Sequence, residues 1–289
     1  MAVNPLHKAT QLMDLGYRAV TNPLRLMPDF IIIGAQKGGT TSLYNYLTEH
    51  PNIISASTKE VHFFDHRYHR GLRWYRAHFP TAIEQYYAEH VRKQVFITGE
   101  ASPGYLFHPL VPKRIANLLP HVRLIVLLRN PVDRLYSQYR HKVALGHEKL
   151  PVEEAVAREE ERLQGEREKI AMQKKYYSAN FQHFSYKTRG RYAEQLEAWF
   201  SLFPREQFLI MKSEDMYKDP SAIYKQTLEF LNIPIYEPKS LQKEYKQYNK
   251  SKEVPSRLDS GLRKELVEYF KPHNARLYEL LGRDFGWDH

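Results

Sequence analysis

Residues 30–43 read FIIIGAQKGGTTSL, and no other stretch of the chain constrains its fold as tightly. A run of apolar β-formers stops at Gly34, a basic, glycine-rich turn follows, and Thr40, Thr41 and Ser42 open an apolar-periodic helix. Strand, glycine-rich loop and helix N-terminus in that order build an anion cradle. The unpaired N–H groups of the first helical turn point at the ligand, and the helix dipole adds partial positive charge. Gly38 and Gly39 let the backbone approach an anion with no Cβ in the way. Lys37 adds a full charge and the three hydroxyls add donors. A nucleotide-binding G-x-x-x-x-G-K-[ST] loop has its lysine directly before the hydroxyl residue, whereas Lys37 precedes the glycine pair. An ordinary ATP or GTP site is therefore disfavoured. Taken alone, the same residues fit a tight turn with a surface lysine equally well.

A second anion-ready unit shifts that balance. Residues 123–143 read RLIVLLRNPVDRLYSQYRHKV. The continuous apolar run 124–128 suits a strand buried on both faces of a parallel sheet. Asn130-Pro131 breaks it and starts a helix, with proline suited to the first helical position. Arg129 then falls at the C-terminal end of the strand, the edge where open α/β sheets bind ligands. Ser137 shares a helix side with Asp133 and Arg134 by i, i+4 and i, i+3 spacing. A planar guanidinium donates two hydrogen bonds at once to a phosphate. The competing reading makes Arg129, Asp133 and Arg134 surface ion pairs, which contribute little; for Arg134 by itself that reading is preferred.

Together the two units resemble the sulfotransferases that use 3′-phosphoadenosine 5′-phosphosulfate (PAPS). Those enzymes carry a Lys-Gly-Gly-Thr-type loop, here Lys37 to Thr40, and an Arg-x-Pro-x-x-Arg-x-x-Ser-x-Tyr-type segment, here Arg129 to Tyr139. The resemblance implies that Lys37, Gly38, Gly39, Thr40, Thr41 and Ser42 hold the phosphosulfate, with Lys37 also stabilising the bridging oxygen. It implies that Arg129 and Ser137 hold the 3′-phosphate. Residues 59–75, KEVHFFDHRYHRGLRWY, are similar to the Lys-Glu-x-His-Phe-Phe-Asp segment of the glycosaminoglycan branch. That similarity makes Glu60 the catalytic base, His62 its catalytic neighbour and Asp65 an acceptor-side residue. A sugar hydroxyl is a poor nucleophile until a carboxylate or imidazole within hydrogen-bond reach accepts its proton. An extended backbone would put Glu60 and His62 on one face. Read without the family, the segment is a half-buried aromatic strand.

The likeness runs on through most of the chain. Residues 99–105, GEASPGY, resemble the Glu-Lys-Thr-Pro-x-Tyr segment, which makes Glu100 a substrate-side residue; Ala101 stands where those enzymes often carry an acceptor-side lysine. Tyr192, in the family's Gly-x-Tyr-x-x-x-Leu-x-x-Trp helix, joins the cofactor set by the same resemblance. Residues 208–219 match an apolar strand and its acidic follow-on, and 266–287 match the terminal helix and Gly-Arg-x-Phe-x-Trp close. Residues 245–257, YKQYNKSKEVPSR, lack the family's Lys-Gly-Arg triplet, leaving Lys250 and Lys252 as candidates to cover the phosphates.

The absence of cysteine removes disulfides, thiol nucleophiles and thiolate metal sites, and fits a reducing compartment. No signal-peptide pattern or membrane-length apolar run is visible, so a cytoplasmic enzyme is expected. A formal charge of +10 suits an anionic ligand such as PAPS, while zinc-finger and RNP patterns for nucleic acid are missing. His62, His66 and His69 cluster in sequence, but no metal is expected to be needed. Residues 150–175, dense in Glu, Arg and Lys, read as a solvated helix or lid, and 176–187 as either an aromatic acceptor cleft or core. The expected architecture is α/β: one domain over 1–289 with a helical lead-in at 1–28, and a central, mostly parallel sheet flanked by helices as in P-loop kinases. The expected reaction is sulfuryl transfer from PAPS to a hydroxyl or amine of a glycan or other alcohol. A P-loop-type kinase and a non-catalytic glycan binder are the rivals.

Overall fold

The structure is a computed structural model that describes residues 17–18, 20–173, 175–241 and 258–288. Five strands form one sheet: β1 (Phe30–Gly34), β2 (Ile53–Ser55), β3 (Ile97–Ala101), β4 (Arg123–Leu128) and β5 (Phe208–Lys212), in the order β2-β3-β1-β4-β5. Every pairing is parallel, with Phe30 opposite Gly99 on one side and Arg123 on the other. All C-terminal strand ends therefore lie on one edge, and the loop after the central β1 is flanked by those after β3 and β4.

The unbroken apolar runs follow from burial on both faces. Ile31, Ile33, Leu124, Val126 and Leu128 pack with Leu196, Trp199, Leu277 and Trp287. Phe30, Ile32, Ile125 and Leu127 turn the other way, onto Leu43, Leu47, Met211 and Leu228. The first group docks α3 (Tyr192–Phe200) and α4 (Ser260–Leu281) on one face, and the second docks α1 (Thr40–Thr48) on the other. Gly99 is required in β3 because a Cβ there would lie 2.5 Å from the Phe30 ring. Trp199 is wholly buried and donates its indole N–H to the Leu106 carbonyl at 3.1 Å.

After β4, the Asn130 side chain accepts from the N–H groups of Val132 and Asp133, capping α2 (Pro131–Ala144). Within α2 the surface reading of Arg134 fails. Arg134 is fully buried and donates to Gln138 Oε1 at 2.7 Å and to the Tyr186 carbonyl. The rotation that keeps Asp133 and Ser137 half-exposed turns Arg134 inward. Asp133 does pair, with Arg263 at 2.7 Å.

The charged stretch 150–175 is also not simply solvated. Its described residues 152–172 fold into three short helices whose Glu159 and Glu166 are buried as acceptors. Glu159 receives the N–H groups of Lys187 and Thr188, and Glu166 the hydroxyls of Tyr176 and Ser178. The 176–187 stretch divides: Phe181 and Tyr186 are core, while Tyr177 is 46% exposed. Among the described residues no helix is long and apolar enough to cross a membrane.

Candidate active site

The loop between β1 and α1 is built for close approach. Gly39 has φ +92°, and a Cβ at Gly38 would lie 2.4 Å from the Leu127 carbonyl oxygen. Two neighbouring loops hold it and are tied to each other. Ser213 Oγ, after β5, donates to the Gly38 carbonyl at 2.6 Å. Arg129 Nη1, after β4, donates to the Lys37 carbonyl at 3.2 Å. The Asn130 N–H reaches Glu214 Oε1 at 2.8 Å. Gly39, the N-cap residue of α1, has no side chain with which to cap it, and Thr40 and Ser42 are buried there while Thr41 is half-exposed. Burial pushes the Lys37 ammonium down to about 8; Arg129 and Lys59 push the same way and Glu60 opposes them.

Arg129 is half-buried, its guanidinium 5.6 Å from the Tyr217 ring centroid. Tyr192 is buried and its hydroxyl donates to the Arg129 carbonyl at 2.8 Å, so it grips the arginine's backbone. Ser137 is half-exposed on the second turn of α2. Lys250 and Lys252 lie outside the described residues.

Residues 59–66 form a chain of charges. Lys59 Nζ meets Glu60 Oε1 at 2.8 Å, Glu60 Oε2 meets His62 Nε2 at 3.3 Å, and His62 Nδ1 meets Asp65 Oδ2 at 2.8 Å. Burial opposes the charge on both carboxyls. The His62 hydrogen bond, joined by Lys59 at Glu60 and by His66 at Asp65, outweighs it and holds each at about 2. Burial likewise opposes a charged His62, but hydrogen bonds to Asp65 and Glu60 raise it to about 10. Glu60 is the most open member, its side chain 41% exposed against 18% for His62 and 1% for Asp65. The expected extended strand is absent here. Glu60 has φ +59° and His62 φ +54°. Left-handed backbone costs a residue with a Cβ about 1–2 kcal/mol, so the surroundings must impose it.

His62, Asp65 and His66 bring ligand atoms within 4.8 Å of one another, a grouping a metal ion could use; His69 is exposed and apart. The Asp65–His62 hydrogen bond already satisfies the two closest of those atoms. Glu100 has no exposed surface and accepts from the hydroxyls of Tyr75, Ser102 and Tyr105. Burial pushes its carboxyl up to about 7, against the pull of the Tyr75 and Ser102 bonds.

Sequence reasoning passed over two groups. His141 and Lys142, on the last turns of α2, feel both Lys37 and Glu60; burial and neighbouring positive charge lower them to about 4 and about 8. The i, i+4 step from Ser137 to His141 was the available signal. Ser102, Tyr105 and Ser213 were passed over as well, because their role is to hold backbone.

The glycine-rich loop after β1 and the carboxylate–imidazole–carboxylate chain are neighbours, since Lys37 and Glu60 feel each other's charge. Residues 27–275 match the family model described as sulfotransferase domain, and the chain belongs to that family and is a sulfotransferase. It is 29% identical to the membrane-associated sulfotransferase kil1 of Dictyostelium discoideum, over 93% of this chain and 68% of that protein. It is 30% identical to human heparan sulfate glucosamine 3-O-sulfotransferase 6, over 91% of this chain and 74% of that one. The crystal structure of a sulfotransferase from Alicyclobacillus acidocaldarius superposes with a TM-score of 0.71 at 28% identity, over 91% of this chain and all of that chain (100%).

Proposed function

We propose that this sulfotransferase moves the sulfuryl group of PAPS to a hydroxyl of a carbohydrate acceptor, with Glu60 as the base. The observation that carries this reading is topological: the Glu60 N–H donates to the Ala101 carbonyl at the end of β3, the strand paired with β1, so the proposed base stands next to the proposed donor loop. Lys37, the loop N–H groups and the hydroxyls of Thr40, Thr41 and Ser42 grip the phosphosulfate, while Arg129 and Ser137 take the 3′-phosphate. Both ring nitrogens of His62 face carboxylates, so the imidazole has no lone pair to offer. The proton of the acceptor hydroxyl therefore goes to Glu60, the exposed carboxylate. A carboxylate held near 2 is a weak base at rest. An acceptor hydroxyl that displaces Lys59 or His62 from it restores basicity toward the ordinary carboxylate range. As the acceptor oxygen bonds to sulfur, the bridging S–O bond breaks and its electrons stay on the departing phosphate. Lys37 and the cradle N–H groups are aimed at that developing charge. The heparan sulfate relatives support a carbohydrate acceptor, while Ala101 removes a cation those enzymes often use.

Glu60→Gln tests the assignment. Transfer to a glycan acceptor should fall by a factor of about 100 or more, while calorimetric affinity for 3′-phosphoadenosine 5′-phosphate (PAP) stays within twofold of the parent. Weakened PAP binding with residual transfer would make Glu60 structural. A preference for ATP over PAP would remove the donor assignment.

A further inference from the structure

We infer that Glu100 is a positioning residue for the catalytic segment, acting through the hydroxyls of Ser102 and Tyr105. The inference rests on the reading of Glu60 as base and adds what holds that base in place.

The segment 60–64 is stitched to the chain that leaves β3 by four backbone donors. The N–H of Glu60 donates to the Ala101 carbonyl at 3.1 Å. That of His62 donates to Ser102 Oγ at 3.2 Å. Those of Phe63 and Phe64 both donate to the Tyr105 hydroxyl, at 2.8 and 3.3 Å. Three of the four bonds end on hydroxyl oxygens, those of Ser102 and Tyr105, and a hydroxyl can turn its proton either way. If Ser102 or Tyr105 pointed its proton at these N–H groups, two donors would face each other and the stitch would open.

Glu100 fixes the direction. Above pH 7, where Glu100 is mainly ionised, its carboxylate only accepts, so each hydroxyl that meets it must donate its single proton there and present its lone pairs elsewhere. Ser102 Oγ donates to Glu100 Oε2 at 2.8 Å, Tyr75 to Oε1 at 2.7 Å, and Tyr105 to Oε1 at 3.3 Å. The lone pairs of Ser102 and Tyr105 are thereby turned to the N–H groups of residues 62–64. This is the constraint that the left-handed backbone of Glu60 and His62 requires. With the side chain wholly buried, Glu100 reaches substrate only through these intermediaries.

Glu100→Gln keeps the shape and replaces one oxygen by a donor NH2, which can be satisfied only by reversing a hydroxyl. At pH 8 we expect kcat to fall on the order of 10- to 100-fold, the penalty of a slightly misplaced reacting group. KM for PAPS and affinity for PAP should stay within twofold. The amide hydrogens of Phe63 and Phe64 should exchange at least tenfold faster, a readout independent of what Glu60 does. In a Ser102→Ala/Tyr105→Phe background the further substitution of Glu100 should cost less than threefold in kcat, because the relay is already gone. Ser102→Ala alone, a smaller change, should lower kcat and loosen the His62 amide. Unchanged amide exchange in Glu100→Gln would overturn the inference. So would an equal kcat loss with and without the two hydroxyls, or a loss confined to PAPS binding. Loosened amides in Glu100→Gln together with full activity in Glu60→Gln would instead fault the base assignment.

Discussion

Lys37 offers the sharpest test of the donor cradle, through protons instead of turnover. Its ammonium is held at about 8, chiefly by burial, so at pH 8 about half of the free protein carries it neutral. A phosphate in the cradle favours the charged form and raises that value. Binding PAP at pH 8 should then take up about 0.5 proton, and at pH 7 only about 0.1. The sign follows: affinity is flat below 8 and declines above it, by up to about tenfold per pH unit, until the bound-state value is reached. The phosphate's own proton, lost near pH 6, sets the lower limit of the usable window. Calorimetry of PAP binding in buffers of different ionisation enthalpy, between pH 7 and 9, reads the uptake directly. Lys37→Met should abolish most of it. Lys142 titrates in the same range and feels Lys37, so a small remainder in the variant is accounted for. An uptake as large in Lys37→Met as in the parent, or none in either at pH 8, would refute the placing of the phosphosulfate on Lys37.

Two further substitutions probe how the cradle is held. Gly38→Ala sets a Cβ 2.4 Å from the Leu127 carbonyl oxygen, and neither backbone can yield, so PAP affinity should fall at least 100-fold in calorimetry. Tyr192→Phe removes the buried hydroxyl from the Arg129 carbonyl. It should cost about 1 kcal/mol of stability, seen as a few degrees in Tm, with a several-fold loss of PAP affinity.

What was legible in the sequence depended on how local the physics is. The two-sided burial of β1 and β4 makes continuous apolar runs, so both strands and the loop glycines could be read directly. β3 (Ile97–Ala101) is less legible, because Thr98 and Glu100 are polar and the small residues Gly99 and Ala101 are the ones paired with β1. The strand order, with β3 between β2 and β1, leaves no mark on any one segment. Arg134 looked like a surface charge because its partner, the Tyr186 carbonyl, lies 52 residues away. Glu159 looked solvated for the same reason: its partners are backbone and hydroxyl groups of Lys187 and Thr188, which no charge pattern reveals. Glu166 shows a local pair with Lys169, but the Tyr176 and Ser178 hydroxyls that it also accepts from leave no such mark. Glu60 and His62 were paired correctly but by the wrong backbone, because left-handed φ at non-glycine residues is imposed by tertiary hydrogen bonds that propensity does not encode.

The bonds that fasten the centre fall into two sets that meet at β1. Loops after β1, β4 and β5 lock one another through Ser213, Arg129 and Glu214, whereas segment 60–64, which carries the proposed base, hangs from the far side, on the continuation of β3. Donor and acceptor halves thus have separate foundations. Substitutions on the β3 side that spare Glu100, Ser102 and Tyr105 can drift toward new acceptors while the grip on the donor is untouched, so acceptor choice can change without rebuilding the donor half.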